Sequence, residues 1–235
     1  RASLLEALKG GDSQTAPAKA EVKSAGARGD SMLERAKRDF QFRREHAQRL
    51  TVFFADVVGF TRRGDSVDAM TMMKVVRALY QITLPVISAM KGTLVKKTGD
   101  GLLAVFKHPL NAAIAALQIQ KKIDEFNQFK LQDQEGFNVR VGLNTGDVIR
   151  SEEDVFGDTV NVASRMETSA SPGEVRLTQA TYDEIREFVR CTHLGNIEVK
   201  GKSEPISAYS AEESLIDVDR LVAEGQAGAE RAPTA

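Results

Sequence analysis

From residue 51 onward the chain switches repeatedly between two hydrophobic rhythms. Thr51-Val52-Phe53-Phe54-Ala55-Asp56-Val57 is rich in β-branched and aromatic side chains and predicts a strand over 51–57. Ala69, Met72, Val76 and Leu79 recur at steps of three and four and mark a helix face, with Pro85 expected to kink or end it. Two short apolar stretches, 93–98 and 102–106, meet at Gly99-Asp100-Gly101, a hairpin signal. Ala112, Ala116, Ile119, Ile123 and Phe126 form the stripe of a second amphipathic helix. Strands follow at 139–143 and 148–149, a helix at 158–168, a strand at 174–178, a helix at 179–188, and strands near 190–200 and 206–210. This order predicts an α+β fold, a ferredoxin-like βαββαβ sandwich with additional C-terminal strands and helix.

The flanks read differently. Residues 1–30 are rich in Ala, Gly, Ser and Lys without apolar periodicity and predict a flexible linker. Over 31–50, Leu33, Ala36, Phe40, Arg43, Ala47 and Leu50 fall on a heptad seam. That spacing suits a helical segment that pairs with a second copy and passes on a signal, or equally a short surface helix packed on its own domain. The stretch 212–235, acidic and then Ala/Gly-rich, is expected to be a disordered tail. The domain itself should span 51–211.

Composition narrows the function. A net charge of −1 lends no support to a nucleic-acid-binding surface or a polybasic membrane patch. The single cysteine, Cys191, allows no internal disulfide and fits a reducing, cytoplasmic compartment. No apolar run approaches the length needed to span a bilayer. The chain begins at Arg1 rather than Met, so it is expected to be part of something longer, with a sensor domain or membrane anchor as candidates for the preceding sequence.

Three segments carry chemistry. Asp56 lies inside an apolar run, where a carboxylate is costly unless compensated. It can cap the turn that follows through backbone N–H groups, or it can serve a ligand. Asp100, at the hairpin tip, changes the balance, because two acidic side chains at neighbouring strand ends make a cage for hard cations, and metal ions on shared carboxylates suit phosphoryl chemistry. In Asp154-Val155-Phe156-Gly157-Asp158-Thr159-Val160-Asn161-Val162-Ala163-Ser164-Arg165-Met166, Asn161 and Arg165 stand four apart and share a helix face. An amide beside a guanidinium can hold a ribose and a phosphate, although such a pair alone also fits an ordinary surface helix. Lys97 adjoins Lys96 but points to the opposite strand face. The stretch 195–203 nearly spells a phosphate-binding loop, but its spacing is one residue too long and it lies between strands.

Taken together, these segments resemble the class III nucleotidyl cyclase catalytic domain. Phe54 to Thr61 resembles the F-x-D-[IV]-V-G-F-T signature. Lys96-Lys97-Thr98-Gly99-Asp100-Gly101 resembles K-x-x-G-D, and Gly157 to Met166 resembles the G-x-x-V-N-x-A-S-R-M helix, all in the family's order. The resemblance covers about 50–210. It implies that Asp56 and Asp100 bind two Mg²⁺ or Mn²⁺ ions per active site, and that backbone N–H groups of Val58, Gly59, Phe60 and Thr61 hold the β- and γ-phosphates. Lys96 and Asp154 would contact the purine, Asn161 the ribose, Arg165 the charge on the α-phosphate, and Lys200 the terminal phosphates. Lys with Asp at the purine positions marks adenylyl cyclases, where guanylyl cyclases carry Glu and Cys. Adenine offers a ring-nitrogen acceptor to Lys96 and an amino donor to Asp154, and guanine reverses that pattern.

The resemblance thus implies an adenylyl cyclase that turns ATP into 3′,5′-cyclic AMP and pyrophosphate in intracellular signalling. Carboxylates come from one subunit and the remaining groups from the other in this family, and the chain carries both sets, so it implies a homodimer. The alternatives are a guanylyl cyclase and a non-catalytic nucleotide-binding or dimerisation module. One departure stands out: only seven residues separate Gly146 from Asp154, where many relatives carry a longer arm that helps to join subunits.

Overall fold

The computed structural model describes Glu34 and residues 46–60, 68–130, 135–151, 154–198 and 204–217 of the 235-residue chain. Its elements are β1 (Ala47–Val57), α1 (Ala69–Ala89), β2 (Thr93–Lys97), β3 (Gly101–Phe106), α2 (Pro109–Phe129), β4 (Val139–Arg150), β5 (Val155–Phe156), α3 (Asp158–Ser169), β6 (Val175–Thr178), α4 (Gln179–Ile185), β7 (Val189–Ile197) and β8 (Ile206–Ser214). The α+β, βαββαβ order expected from the sequence is present, with the C-terminal strands and helix added.

Strand β1 is apolar on both faces, and that places it in the middle of the sheet. Phe53, Ala55 and Val57 point into the larger core with α1 and α2, whereas Leu50, Val52 and Phe54 point toward Ala163 of α3. Antiparallel partners flank it, β3 on one side and β4 on the other. The sheet runs β2-β3-β1-β4-β6-β8-β7, with β5 pairing to β4. Its first four strands have the ferredoxin-like order, and β6 extends them by pairing parallel to β4.

Several expected boundaries shift, each for a local reason. The helix expected over 31–50 falls mostly outside the described residues, but its last positions do not fit. Ala47 to Leu50 are strand, paired to Ile149 through Gly146, and Leu50 is buried between sheet and helix. The 1–30 linker lies outside the described residues, as does most of the C-terminal stretch. Strand β8 nevertheless continues to Ser214, and Leu215 N–H donates to Phe188 O at 2.8 Å. Helix α1 buries Val75, Leu79, Thr83, Val86 and Ile87, whereas Ala69 and Met72 of the expected stripe are not buried. Pro85 neither ends nor interrupts α1. It is exposed, so the carbonyl one turn back that loses a donor lies toward water.

The largest difference is β4, one continuous strand where two fragments were expected. Asn144 and Thr145 look like a polar break in sequence, yet both are buried. Thr145 Oγ1 is 2.9 Å from Thr51 Oγ1 and 3.0 Å from Thr181 Oγ1. Asn144 donates to Thr159 O at 3.0 Å and accepts from Thr178 Oγ1 at 2.7 Å. A buried polar group left unpaired costs about 1–3 kcal/mol, so these residues are tolerated in the interior because their bonds close on one another.

Helix α3 approaches β4 unusually closely. A Cβ at Gly142 would lie 2.2 Å from Glu167 N and 2.4 Å from Ala163 O, both backbone atoms that no rotamer change can move aside. Gly142→Ala should therefore force α3 off the sheet and cost about 1–3 kcal/mol or more. Urea unfolding measures this, and an unchanged midpoint would show that the strand and helix are not in this contact.

Candidate active site

The end of β1, the β2–β3 hairpin tip and the start of β4 enclose a cleft of about 300 Å³. It is lined by Asp56, the 57–60 turn, Asp100 and Arg140. Val57 N–H donates to Asp100 O at 3.0 Å, which ties the hairpin tip to β1 and brings the two carboxylates together. Tyr80 of α1 holds the tip from the other side, its hydroxyl 2.8 Å from Gly99 O and 3.1 Å from Gly101 O. The turn itself needs Gly59, whose φ is +71°. Among the described residues, no backbone N–H of this turn donates to the Asp56 side chain. Asp56 faces its cross-strand partner Arg140, with Oδ2 2.9 Å from Nη2.

Of the four amides expected to face phosphates, Val58 N–H already donates to Asn138 O at 2.9 Å. That leaves Gly59 and Phe60 at the cleft, while Thr61 lies outside the described residues, as does Lys200. Lys96 and Asp154 come together from β2 and the segment before β5, 2.6 Å apart as an ion pair. The Lys96 ammonium, with Val155 N–H donating at 2.8 Å, holds the Asp154 carboxyl below its ordinary range. Lys97 points the other way, as strand alternation requires, and sits 4.5 Å over the Tyr80 ring. Asn161 and Arg165 lie on the exposed face of α3. Lys96, Asp154, Asn161 and Arg165 do not line the cleft that holds the carboxylate pair.

Sequence reasoning missed Arg140 and Glu167. Arg140 Nη2 lies 2.9 Å from Asp56 and 3.0 Å from Glu167 Oε1, so one guanidinium nitrogen is shared between two carboxylates. Strand alternation could have flagged Arg140, since it shares a face with Gly142 and Asn144 between inward-pointing Val139 and Val141. Glu167 immediately follows the recognised Arg165-Met166 motif and carries no signal of its own. Burial pushes the Glu167 carboxyl up to about 7, against the pull of Arg140, and the charges of Asp56 and Asp100 push in the same direction. Asp56 is raised by burial, lowered by its bond to Arg140, and raised again by Asp100. Burial and the Asp100 charge also raise Tyr80.

The donor chemistry at the cleft fits a hard divalent cation. Two carboxylates repel one another across it, and the ion would relieve that repulsion. Among the described residues no group of three or more His, Cys, Asp and Glu side chains is set to hold a metal. A pair of carboxylates would be the protein's share of such a site, as Mg²⁺ sites at phosphates are commonly built, with substrate oxygens and water completing the shell. Among the described residues no helix is long and apolar enough to cross a membrane.

This arrangement of sheet, hairpin carboxylate and short helix is that of a nucleotidyl cyclase catalytic domain. Residues 42–212 match the adenylate and guanylate cyclase catalytic domain family, and the chain belongs to that family of lyases. It is 29% identical over 161 residues to a putative adenylate cyclase 3 of Rhizobium meliloti, covering 68% of this chain and 27% of that protein. The chain thus spans about a quarter of the length of that relative. Among solved structures, the catalytic core of a rhodopsin-guanylyl cyclase with converted specificity, in complex with ATPαS, is 30% identical with a TM-score of 0.65. That match covers 72% of this chain and 99% of that one. The adenylyl cyclase CyaB from P. aeruginosa is 26% identical with a TM-score of 0.64, covering 72% and 96%. The family takes in both adenylate and guanylate cyclases, and its members are generally divalent-metal dependent.

Glu167 predicts a pH dependence of stability. Its folded-state pKa, about 7, lies above its ordinary 4.5, so the folded state binds more protons between those values. The stability contributed is present in full below 4.5 and is lost as pH rises through about 7. In metal-free urea titrations at pH 5 and pH 8, the wild type should lose on the order of 2 kcal/mol more than Glu167→Gln over that interval. Equal losses in both proteins would show that Glu167 ionises as an exposed carboxylate does.

Proposed function

We propose that the chain is the catalytic domain of an adenylyl cyclase, making 3′,5′-cyclic AMP and pyrophosphate from ATP at two equivalent sites shared between the copies of a homodimer. The observation that carries the choice of ATP is the Lys96–Asp154 pair, a cationic donor and an anionic acceptor 2.6 Å apart. Adenine can enter such a pair by accepting from Lys96 at a ring nitrogen and donating its amino group to Asp154. Guanine presents the opposite pattern and would leave both groups mismatched, and a polar site built for one pattern discriminates strongly against the other.

Asp56 and Asp100 would hold two Mg²⁺ or Mn²⁺ ions, which when bound neutralise the triphosphate and make the ribose 3′-hydroxyl more acidic. Around them, the amides of Gly59 and Phe60 bind β- and γ-phosphate oxygens, and Lys200 reaches the terminal phosphates. Asn161 orients the ribose so that O3′ lies in line with the bond to be broken. Arg165 faces the charge that builds on the α-phosphate as that bond breaks. O3′ bonds to the α-phosphorus, its proton passes to solvent, and pyrophosphate departs. The carboxylate cleft and the exposed Asn161–Arg165 face are separate in one chain, and this favours sites completed by a second copy. In the cell such a unit would serve intracellular signalling on the cytoplasmic side, under a sensor domain elsewhere in the protein. GTP is the second reading, since the matching family includes guanylate cyclases, and the Lys96–Asp154 pair weighs against it.

Incubation with Mn²⁺ and either ATP or GTP, followed by chromatography, should yield cyclic AMP as the main product. Lys96→Glu combined with Asp154→Cys should lower ATP turnover steeply, and a main product of cyclic GMP from the wild type would overturn the assignment. The shared site has its own signature. Asp56→Asn and Arg165→Ala should each be nearly inactive, yet an equal mixture should recover roughly a quarter of wild-type specific activity, because both lesions in a mixed dimer fall in one site. A mixture as dead as its components after verified subunit exchange would exclude sharing.

A further inference from the structure

Glu167 has no place in the chemistry just described, yet its position is expensive. Its side chain is 8% exposed, and Oε1, 3.0 Å from Arg140 Nη2, has no well-directed hydrogen bond. Arg140 Nε is likewise buried without a partner. An incompletely bonded carboxylate–guanidinium pair inside a protein is weaker than a well-packed apolar replacement, so packing does not account for it. Geometry offers another account. Arg140 is held from two sides: Asp56 Oδ2 at 2.9 Å, and Glu167 with the Thr168 carbonyl, 3.4 Å from Nη1. The close approach of α3 over Gly142, two residues along the same strand face, is what brings Glu167 within reach.

Asp56 therefore has a built-in competitor. The Asp56 oxygen that accepts from the guanidinium cannot at once give the same electron pair to a cation. How firmly Arg140 holds that oxygen depends on what draws it away, and the opposing carboxylate is Glu167. We propose that Glu167 is a positioning residue that draws Arg140 back from Asp56 and so sets the affinity of the Asp56–Asp100 pair for divalent cations. This rests on the reading of that pair as the ion-holding group.

The test is direct binding of Mn²⁺ to the protein without nucleotide at pH 8, where Glu167 is ionised, followed by the electron paramagnetic resonance of free Mn²⁺, with thermal melts as a check on folding. Glu167→Gln, nearly isosteric, should weaken Mn²⁺ binding roughly 10-fold, as loss of a supporting partner to a metal ligand commonly does. In an Arg140→Gln background the same substitution should change binding less than about two-fold, because its effect travels through Arg140. Equal weakening in both backgrounds would mean that Glu167 acts only through its charge, and no weakening in either would remove it from the site; both outcomes overturn the proposal. Should Glu167→Gln fail to fold, Glu167→Asp decides: it keeps the charge but shortens the reach to Arg140 Nη2, so Mn²⁺ binding should weaken several-fold, and unchanged or tighter binding overturns the idea. Asp56→Asn separates the two levels. If it leaves Mn²⁺ binding intact, the ion-holding reading itself fails. If it abolishes binding while Glu167→Gln matches the wild type, only the positioning role fails.

Discussion

The antiparallel ladder between β1 and β4 runs unbroken from Ala47 opposite Ile149 to Val57 opposite Val139, and the rest of the molecule is arranged around it. Because strand side chains alternate, a register set anywhere along this ladder fixes which residues face each helical layer. It sends Phe53, Ala55 and Val57 with Val139, Val141 and Leu143 into the layer under α2. The same register puts Asp56 directly opposite Arg140 on the other face, beneath α3. A slip of one residue would bury the carboxylate among hydrocarbon and turn the core outward, so hydrophobic burial and placement of the charged cleft are specified together.

The cleft concentrates charge of both signs in little space. Asp56 and Asp100 repel each other across it, Arg140 offsets part of that repulsion, and Glu167 adds a third carboxylate from behind. Without a cation the guanidinium is the principal positive charge there, and both Asp56 and Glu167 hold protons more tightly than carboxylates in water. The balance is local and steep in distance, since Coulomb terms grow as the surroundings lose water. Lys96 and Asp154, by contrast, form their ion pair at a more exposed edge.

Much of this was legible before any coordinates. The strand at 51–57, the hairpin at Gly99-Asp100-Gly101 and the helix bearing Asn161 and Arg165 all stood out, because each couples a clear apolar rhythm to an unusual polar residue. The opposite facing of Lys96 and Lys97 followed from strand alternation alone. What escaped was set by tertiary partners. Asn144 and Thr145 read as a break because sequence does not reveal that Thr51, Thr159, Thr178 and Thr181 wait to bond them. The buried stripe of α1 was misphased for a similar reason, since methionines at its exposed start imitate a core face. Arg140 and Glu167, 27 positions apart, meet only because Gly142 lets a helix lie almost on the strand.

Tyr80 leaves the hairpin tip little independence. Its ring is carried by α1, its hydroxyl reaches the carbonyls on both sides of Asp100, and Lys97 from the same hairpin rests on its face. Helix and tip are thus coupled as a lever and its load. A shift of α1 along its axis would carry the Asp100 backbone with it, and through the Val57–Asp100 bond would tug the end of β1 as well. Spacing between the two carboxylates is in this way geared to the seating of a helix whose first turns, with Met70 and Met73 at the surface, lie open to whatever presses on them.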